Sequence, residues 1–305
     1  MSALRIPLPG LPVGPVPVTA SGIARSVGRV ARATAGPLLP QRSLKDAVAG
    51  RTVMVTGASH GIGHATALQL AAAGATTLVI ARGKHQLADL VGQISSAGGD
   101  AHAYPADLSE TEAIDRLTAR VAADGHEVDV LINNAARSIR RSLAQSYGRP
   151  HDFERTMRLN YFGAVHLTMA VLPGMRERRS GHVVNVSTMG TQTSTPRFAA
   201  YLASKAALEA FTRVAAAECL SDGVHFSTVH MPLVRTPMIE PTAVYTNIPA
   251  LSPEQAGELI TKALRTRAQA VGPRVGTVAE VLSALSPAGA NELLHALYLA
   301  VPDKR

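Results

Sequence analysis

From Arg51 onward, short apolar runs alternate with longer stretches of helical period. Strand-length runs fall at 52–56, 76–81, 101–104, 129–132, 182–186 and 225–229, with a weaker seventh at 270–275. Between them the apolar spacing predicts helices, among them 63–73, 110–124, 153–172 and 199–220. Alternation of this kind needs crossover connections, and these build a parallel sheet covered on both faces. A last apolar stretch, 278–301, is interrupted by Glu280, Pro287, Glu292 and His295. It reads as one or two short helices closing the domain or its ligand cavity. No repeat of solenoid length is present.

The first 45 residues depart from this pattern, being rich in Pro and Gly with no acid before Asp46. Within them, 21–35 fits a short basic helix, with Ile23, Val27 and Val30 on one side and Arg25, Arg29 and Arg32 toward the other. A flexible leader or a strap packed on the domain, and a helix lying on a membrane surface, are the open readings. No apolar core with a cleavage site follows the basic residues, so a secretory signal is not indicated. The expected division is an extension over 1–45, an α/β domain over 46–277 and an apolar helical segment over 278–305.

Composition narrows the classes. The chain of 305 residues is 46% apolar, enough for a sizeable core. No uninterrupted apolar run reaches membrane-spanning length. The single cysteine, Cys219, cannot form an internal disulfide, which fits a reducing, cytoplasmic setting; the basic leader adds peripheral membrane contact as an alternative. The net charge of +8 would attract an anion, yet the chain has no Trp and few other aromatics on which bases would stack. No Cys/His spacing suits a metal site or a zinc finger. A phosphorylated small molecule is a better partner than nucleic acid.

The first strand runs directly into Gly57-Ala-Ser59-His60-Gly61-Ile62-Gly63 and then a helix. Glycines let the backbone turn tightly and approach a pyrophosphate without a Cβ in the way. The helix behind offers that anion unpaired N–H groups and the positive end of its dipole. Together with the alternation, this points to a three-layer, Rossmann-like, doubly wound α/β fold with a mainly parallel seven-stranded sheet. The second strand ends Ala81-Arg82-Gly-Lys84, without the acid that would bind a ribose 2′-hydroxyl and repel a 2′-phosphate. Arg82, with His60 as a second donor, therefore favours NADP(H) over NAD(H). Asp107 follows the third strand, where it would meet the adenine or cap a helix. Asn133 and Asn134 end the fourth strand, and either direct cofactor contact or sheet-edge pinning suits them.

The chemical end is Asn185-Val-Ser187-Thr188 followed by Tyr201-Leu-Ala-Ser-Lys205. Spacing i, i+4 puts the phenol and the amine on one helix face. A phenol of pKa about 10 is a poor acid or base at neutral pH, and a nearby ammonium stabilises its anion and brings it toward the working range. Asn160 interrupts an otherwise apolar helix, where propensity disfavours it. Either a proton path from Lys205 or a kink near Gly163 would use it.

This set of residues, with Met231-Pro-Leu-Val234-Arg-Thr236, resembles the short-chain dehydrogenase/reductase family over about 49–260. The resemblance implies that Tyr201 donates the proton and that Lys205 lowers its pKa and binds the nicotinamide ribose. It also implies that Asn160 completes the relay and that Val234 and Thr236 meet the nicotinamide carboxamide. Three positions depart from the family pattern. Thr188 stands where the catalytic serine is usual, Ala136 where a glycine follows Asn-Asn-Ala, and Leu233 where Pro-Gly is usual. Ser187 should point to the opposite face of its strand, so Thr188 is the expected hydroxyl.

Longer phrases, 133–142, 188–198 and 230–242, resemble the bacterial long-chain fatty acyl-CoA reductase branch. That resemblance implies a long-chain acyl or carbonyl substrate, CoA- or carrier-linked, with a ketoreductase or alcohol dehydrogenase as the alternative. It also implies dimers or tetramers through the helices 153–172 and 199–220. The segment 232–253 would make an apolar lid, and Ser252-Pro-Glu-Gln255 reads as a capping box. Arg137, Arg140 and Arg141 would meet CoA phosphates or simply form a solvated basic face.

Overall fold

The computed structural model describes residues 42–239 and 248–300, so the basic helix expected at 21–35 and part of the segment 232–253 lie outside the described residues. Seven strands form one sheet: β1 (Thr52–Thr56), β2 (Thr76–Ala81), β3 (Asp100–Pro105), β4 (Val130–Asn133), β5 (Gly181–Thr188), β6 (Val224–Met231) and β7 (Ala270–Val271). Their order is β3-β2-β1-β4-β5-β6-β7, and every pairing is parallel. The chain winds one way from β1 to β3 and the other way from β4 onward. That reversal opens a crevice at the carboxyl ends of β1 and β4.

Period-two alternation divides the core between the two faces. Val53 and Val55 of β1 join Val79 and Ile132 on one side, packed on α2 (Gly61–Ala72), α3 (Lys84–Ser96) and α9 (Pro253–Thr266). Met54, between them in sequence, joins Leu78, Ile80 and Leu131 on the other. There the cover is α4 (Thr111–Ala123), α6 (Ala164–Glu177) and α8 (Ala199–Glu218). Each buried Val, Leu or Ile side chain contributes about 1.5–3 kcal/mol relative to exposure, so both helical layers are needed. The result is the three-layer, Rossmann-like arrangement.

Local signals explain several element ends. A short helix, α1 (Leu44–Val48), is opened by a capping box of Ser43 and Asp46 and buries Ala47 and Val48. It begins inside the stretch read as leader. The box at Ser252 and Gln255 opens α9, with Pro253 in its first turn. β5 and β6 run two residues further than their apolar runs because Ser187, Thr188, His230 and Met231 still pair across the ladder. β7 stops at Val271, well short of 275, because α10 (Arg274–Leu285) starts behind Pro273. After it comes α11 (Pro287–Ala300), so the tail is two helices.

The helix expected over 153–172 is not continuous. It divides into α5 (Pro150–Met157), a π-turn over Arg158–Gly163, and α6. Gly163 explains part of this: a Cβ there would lie 2.2 Å from the Leu108 carbonyl oxygen. The chain can pass β3's following loop only where it has no side chain, and the wider turn carries Asn160 inward.

Candidate active site

One cleft of about 1040 Å³ runs along the carboxyl ends of the strands. Ligand pockets commonly span about 300–1,000 Å³, so this one has room for a dinucleotide and part of a second ligand. Its walls include Gly57, Ser59, His60, Gly61, Ile62 and Arg82 at one end. Thr188, Tyr201 and Lys205 stand at the other, with Asp107, Asn134, Val234 and Thr236 also on the lining. Among the predicted residues, Gly63 and Asn160 act from behind this wall.

The glycine turn is built for close approach. Gly57 and Gly61 have φ of +67° and +57°, where side chains are strained. A Cβ on Gly63 would come within 2.4 Å of the Gly57 carbonyl oxygen, so the turn closes tightly on the start of α2. His60 precedes α2 without a side-chain cap, its Nδ1 lying 3.0 Å from the Ser59 hydroxyl instead. The first turn of α2 therefore has no side-chain cap, and Gly61 and Ile62 at its start line the cleft, where helix N–H groups could donate to an anion. Asn134 holds the turn from beneath, its Nδ2 donating to the Thr56 carbonyl at 2.9 Å, while the Thr56 hydroxyl accepts from the Asn134 and Ala135 amides.

Arg82 is largely exposed at the end of β2, its guanidinium 3.8 Å from the Asp107 carboxylate. Asp107 Oδ1 accepts from the backbone and hydroxyl of Ser109. Partial burial works to raise the Asp107 carboxyl, but these bonds with Arg82 and Arg137 hold it below its ordinary range.

The chemical end is held by a polar lattice. Asn133 Nδ2 donates to Asn185 Oδ1 at 2.8 Å, and Asn185 Nδ2 donates to the Thr212 hydroxyl at 2.7 Å, tying β4 and β5 to α8. Asn160 Oδ1 accepts from the Arg137 amide, and its Nδ2 donates to the Arg137 carbonyl and to Ser204 Oγ. Its amide thus clamps the loop after β4 onto α8, with both N–H groups engaged by protein atoms. Tyr201 and Lys205 lie one turn apart on α8, and the Tyr201 ring meets Phe198 edge-on at 6.3 Å. The Lys205 side chain is buried, and its Nζ donates to the Val186 carbonyl at 2.6 Å. Burial pulls its pKa down from 10.5 to about 8, with Glu209 opposing.

Thr188 and Ser187 diverge, as pleating requires. Thr188 Oγ1 accepts from the Gly190 amide at 3.1 Å and caps the short helix α7 (Met189–Thr193). The Ser187 hydroxyl instead donates to Glu209. Glu209 was not singled out from the sequence. It also accepts from Thr191 Oγ1 at 2.8 Å and lies 3.4 Å from His230 Nε2. Burial works to raise the Glu209 carboxyl, and the His230, Ser187 and Thr191 bonds hold it down, so it stays ionised behind the chemical end. Its spacing of four from Lys205 was the available signal.

The arginine cluster splits. Arg137 and Arg140 line the cleft. Arg141 turns away to the buried Asp152, which Arg149 and Arg155 also engage.

A parallel sheet with a glycine-floored turn after its first strand and a Tyr-Lys pair on the helix beside the same cleft define a class, and comparison with known proteins agrees. The short chain dehydrogenase family model matches residues 51–244, and the chain belongs to that family. It is an oxidoreductase of that family, whose members use NAD(P). An uncharacterized oxidoreductase of Mycobacterium tuberculosis is 50% identical over 81% of this chain and 73% of its own length. A fatty acyl-CoA reductase of Acinetobacter baylyi is 45% identical over 80% of this chain and 82% of its own. A second fatty acyl-CoA reductase, from M. tuberculosis, is 44% identical over 81% and 84%. Among solved structures, a 3-oxoacyl (acyl-carrier-protein) reductase of Agrobacterium tumefaciens with NADP bound superposes with a TM-score of 0.68. It is 27% identical and covers 77% of this chain and 97% of the other.

Proposed function

We propose that this protein uses NADPH to reduce the carbonyl of a long-chain acyl thioester, such as a fatty acyl-CoA, or of a related carbonyl lipid. The observation that carries this reading is Tyr201 and Lys205 sharing one cleft wall with Thr188, beyond the glycine turn. The relatives named fatty acyl-CoA reductase support the substrate class. So do the apolar residues of the same cleft, including Met189, Phe198, Leu202, Met231, Met238 and Ile239.

The residues present fit the dinucleotide. The α2 N-terminus and glycine turn would hold its pyrophosphate, Arg82 its 2′-phosphate, Asp107 its adenine, and Lys205 the nicotinamide ribose. Val234 and Thr236 would meet the carboxamide. When bound, NADPH supplies the hydride. Thr188 Oγ1 already accepts from Gly190, so its own proton is directed to the substrate oxygen. Tyr201 gives its proton to that oxygen as negative charge develops there, and the Lys205 ammonium stabilises the phenolate left behind. For a thioester, addition of hydride and this proton yields a hemithioacetal, which breaks its C–S bond to release aldehyde and thiol.

Mass spectrometry of products from NADPH and a graded set of acyl-CoAs tests the reading. Fatty aldehyde is expected, with Tyr201→Phe keeping NADPH fluorescence binding while losing about 10²–10⁴-fold in turnover. NADPH consumption with small ketones alone would overturn the lipid assignment. A fully active Tyr201→Phe would overturn the proton donor.

A further inference from the structure

Thr188 ends β5 and Tyr201 lies in the first turn of α8, and the connection 189–200 joins the two. Two of its residues are strained. Ser194 and Arg197 have φ of +50° and +72°, a region that side chains rarely adopt. Such conformations persist only where the surroundings enforce them, and they gather at functional sites.

The C-terminal helices hold this connection at both ends. Near Thr188, Gln192 of α7 donates to Glu280 of α10 at 3.1 Å, and a Cβ on Gly276 of α10 would run into Gln192 and Met189. Near Tyr201, the buried Arg197 donates to the Tyr298 carbonyl of α11 at 3.1 Å, its guanidinium lying 4.2 Å from the Tyr298 ring centre. The Arg197 carbonyl accepts from the Arg141 amide at 2.6 Å, so the same residue ties α11 to the loop 137–141. Phe198, which follows, is the N-cap of α8 and meets the Tyr201 ring edge-on. Phe198 and Tyr201 line the cleft, and Arg197 stands behind them.

α11 adds little to the core. None of its residues is buried, and only Ala290, Leu294 and Tyr298, spaced four apart on one face, are half-buried. Tyr298 instead gives a ring and a carbonyl to a buried cation, which is costly to hold without such partners. We propose that α11 is a positioning clamp, in which Tyr298 and Arg197 fix the connection 189–200 and so set Tyr201 against Thr188. A displacement of about 1 Å at reacting groups can cost roughly 10²-fold in rate, so a contact behind the cleft wall is enough to control turnover. The effect on rate rests on Tyr201 as proton donor to an acyl thioester; the clamp itself is read without substrate.

The test is hydrogen–deuterium exchange of the full chain, followed at 189–202, with palmitoyl-CoA turnover and NADPH affinity measured alongside. Tyr298→Ala is expected to exchange about tenfold faster there, while β1 and β4 stay protected and the thermal midpoint stays near wild type, since the lost side chain is only half-buried. Its kcat should fall about tenfold or more with NADPH affinity unchanged. Tyr298→Phe keeps the ring and should restore both readouts, and Arg197→Met should behave like Tyr298→Ala. Unchanged exchange at 189–202 in Tyr298→Ala would overturn the clamp. Faster exchange with an unchanged kcat would remove the positioning role and overturn it as well. So would faster exchange throughout the domain with a lowered midpoint, which would make α11 a general support. Should wild type reduce no acyl-CoA, the substrate reading fails, and the exchange comparison alone still decides the clamp.

Discussion

Lys205 places stability and activity in opposition over one pH window. Its side chain is buried with the Val186 carbonyl as hydrogen-bond acceptor, and burial pulls its pKa from 10.5 to about 8. That difference corresponds to about 3 kcal/mol of cost to the fold for holding the ammonium. Below pH 8 the amine is charged in folded and unfolded chains alike, and the fold bears the whole cost. Between pH 8 and 10.5 the folded chain sheds its proton while the unfolded chain keeps it, so stability rises with pH. Above 10.5 both are neutral. Turnover should move the other way, because a neutral amine no longer stabilises the Tyr201 phenolate. Urea unfolding and kcat/KM, each measured from pH 7 to 10, check this in wild type and in Lys205→Met. The buried Cys219 thiol, pushed up by burial, acts in the opposite sense, and the variant comparison cancels it. Wild type should gain about 3 kcal/mol across the window relative to the variant while its rate falls. Parallel stability curves would refute the picture of a strained, charged lysine.

Other substitutions probe its surroundings. Glu209→Gln removes the charge that opposes burial at Lys205, so the alkaline limb of the pH–rate profile should move to lower pH. Rearranging the Ser187, Thr191 and His230 contacts should also cost about 1–3 kcal/mol by urea unfolding. Arg82→Ala should raise KM for NADPH by about tenfold or more and leave KM for NADH nearly unchanged, since only the former has a 2′-phosphate to lose a charged hydrogen bond. Gly163→Ala forces a methyl against the Leu108 carbonyl and should cost about 1–3 kcal/mol in thermal unfolding, with a fall in kcat as Asn160 shifts.

Much of this protein was legible along the chain because its determinants are local. The β1 and β2 runs match their strands from end to end, because strands covered on both faces read as near-continuous apolar runs. The glycine turn is legible because positive φ and close approach leave glycine little competition, and Tyr201 and Lys205 because α-helical spacing alone puts them on one face. What the sequence could not decide depends on partners distant along the chain. Nothing near Asn160 reveals that its amide would clamp Arg137 and Ser204, or that Leu108 would require the π-turn carrying it. Arg141 looks like its neighbours until Asp152 claims it. Glu209 becomes a half-buried, hydrogen-bonded anion only once β5, β6 and α7 bring Ser187, His230 and Thr191 around it. A carboxylate's state follows from its desolvation and donors, and folding alone sets both.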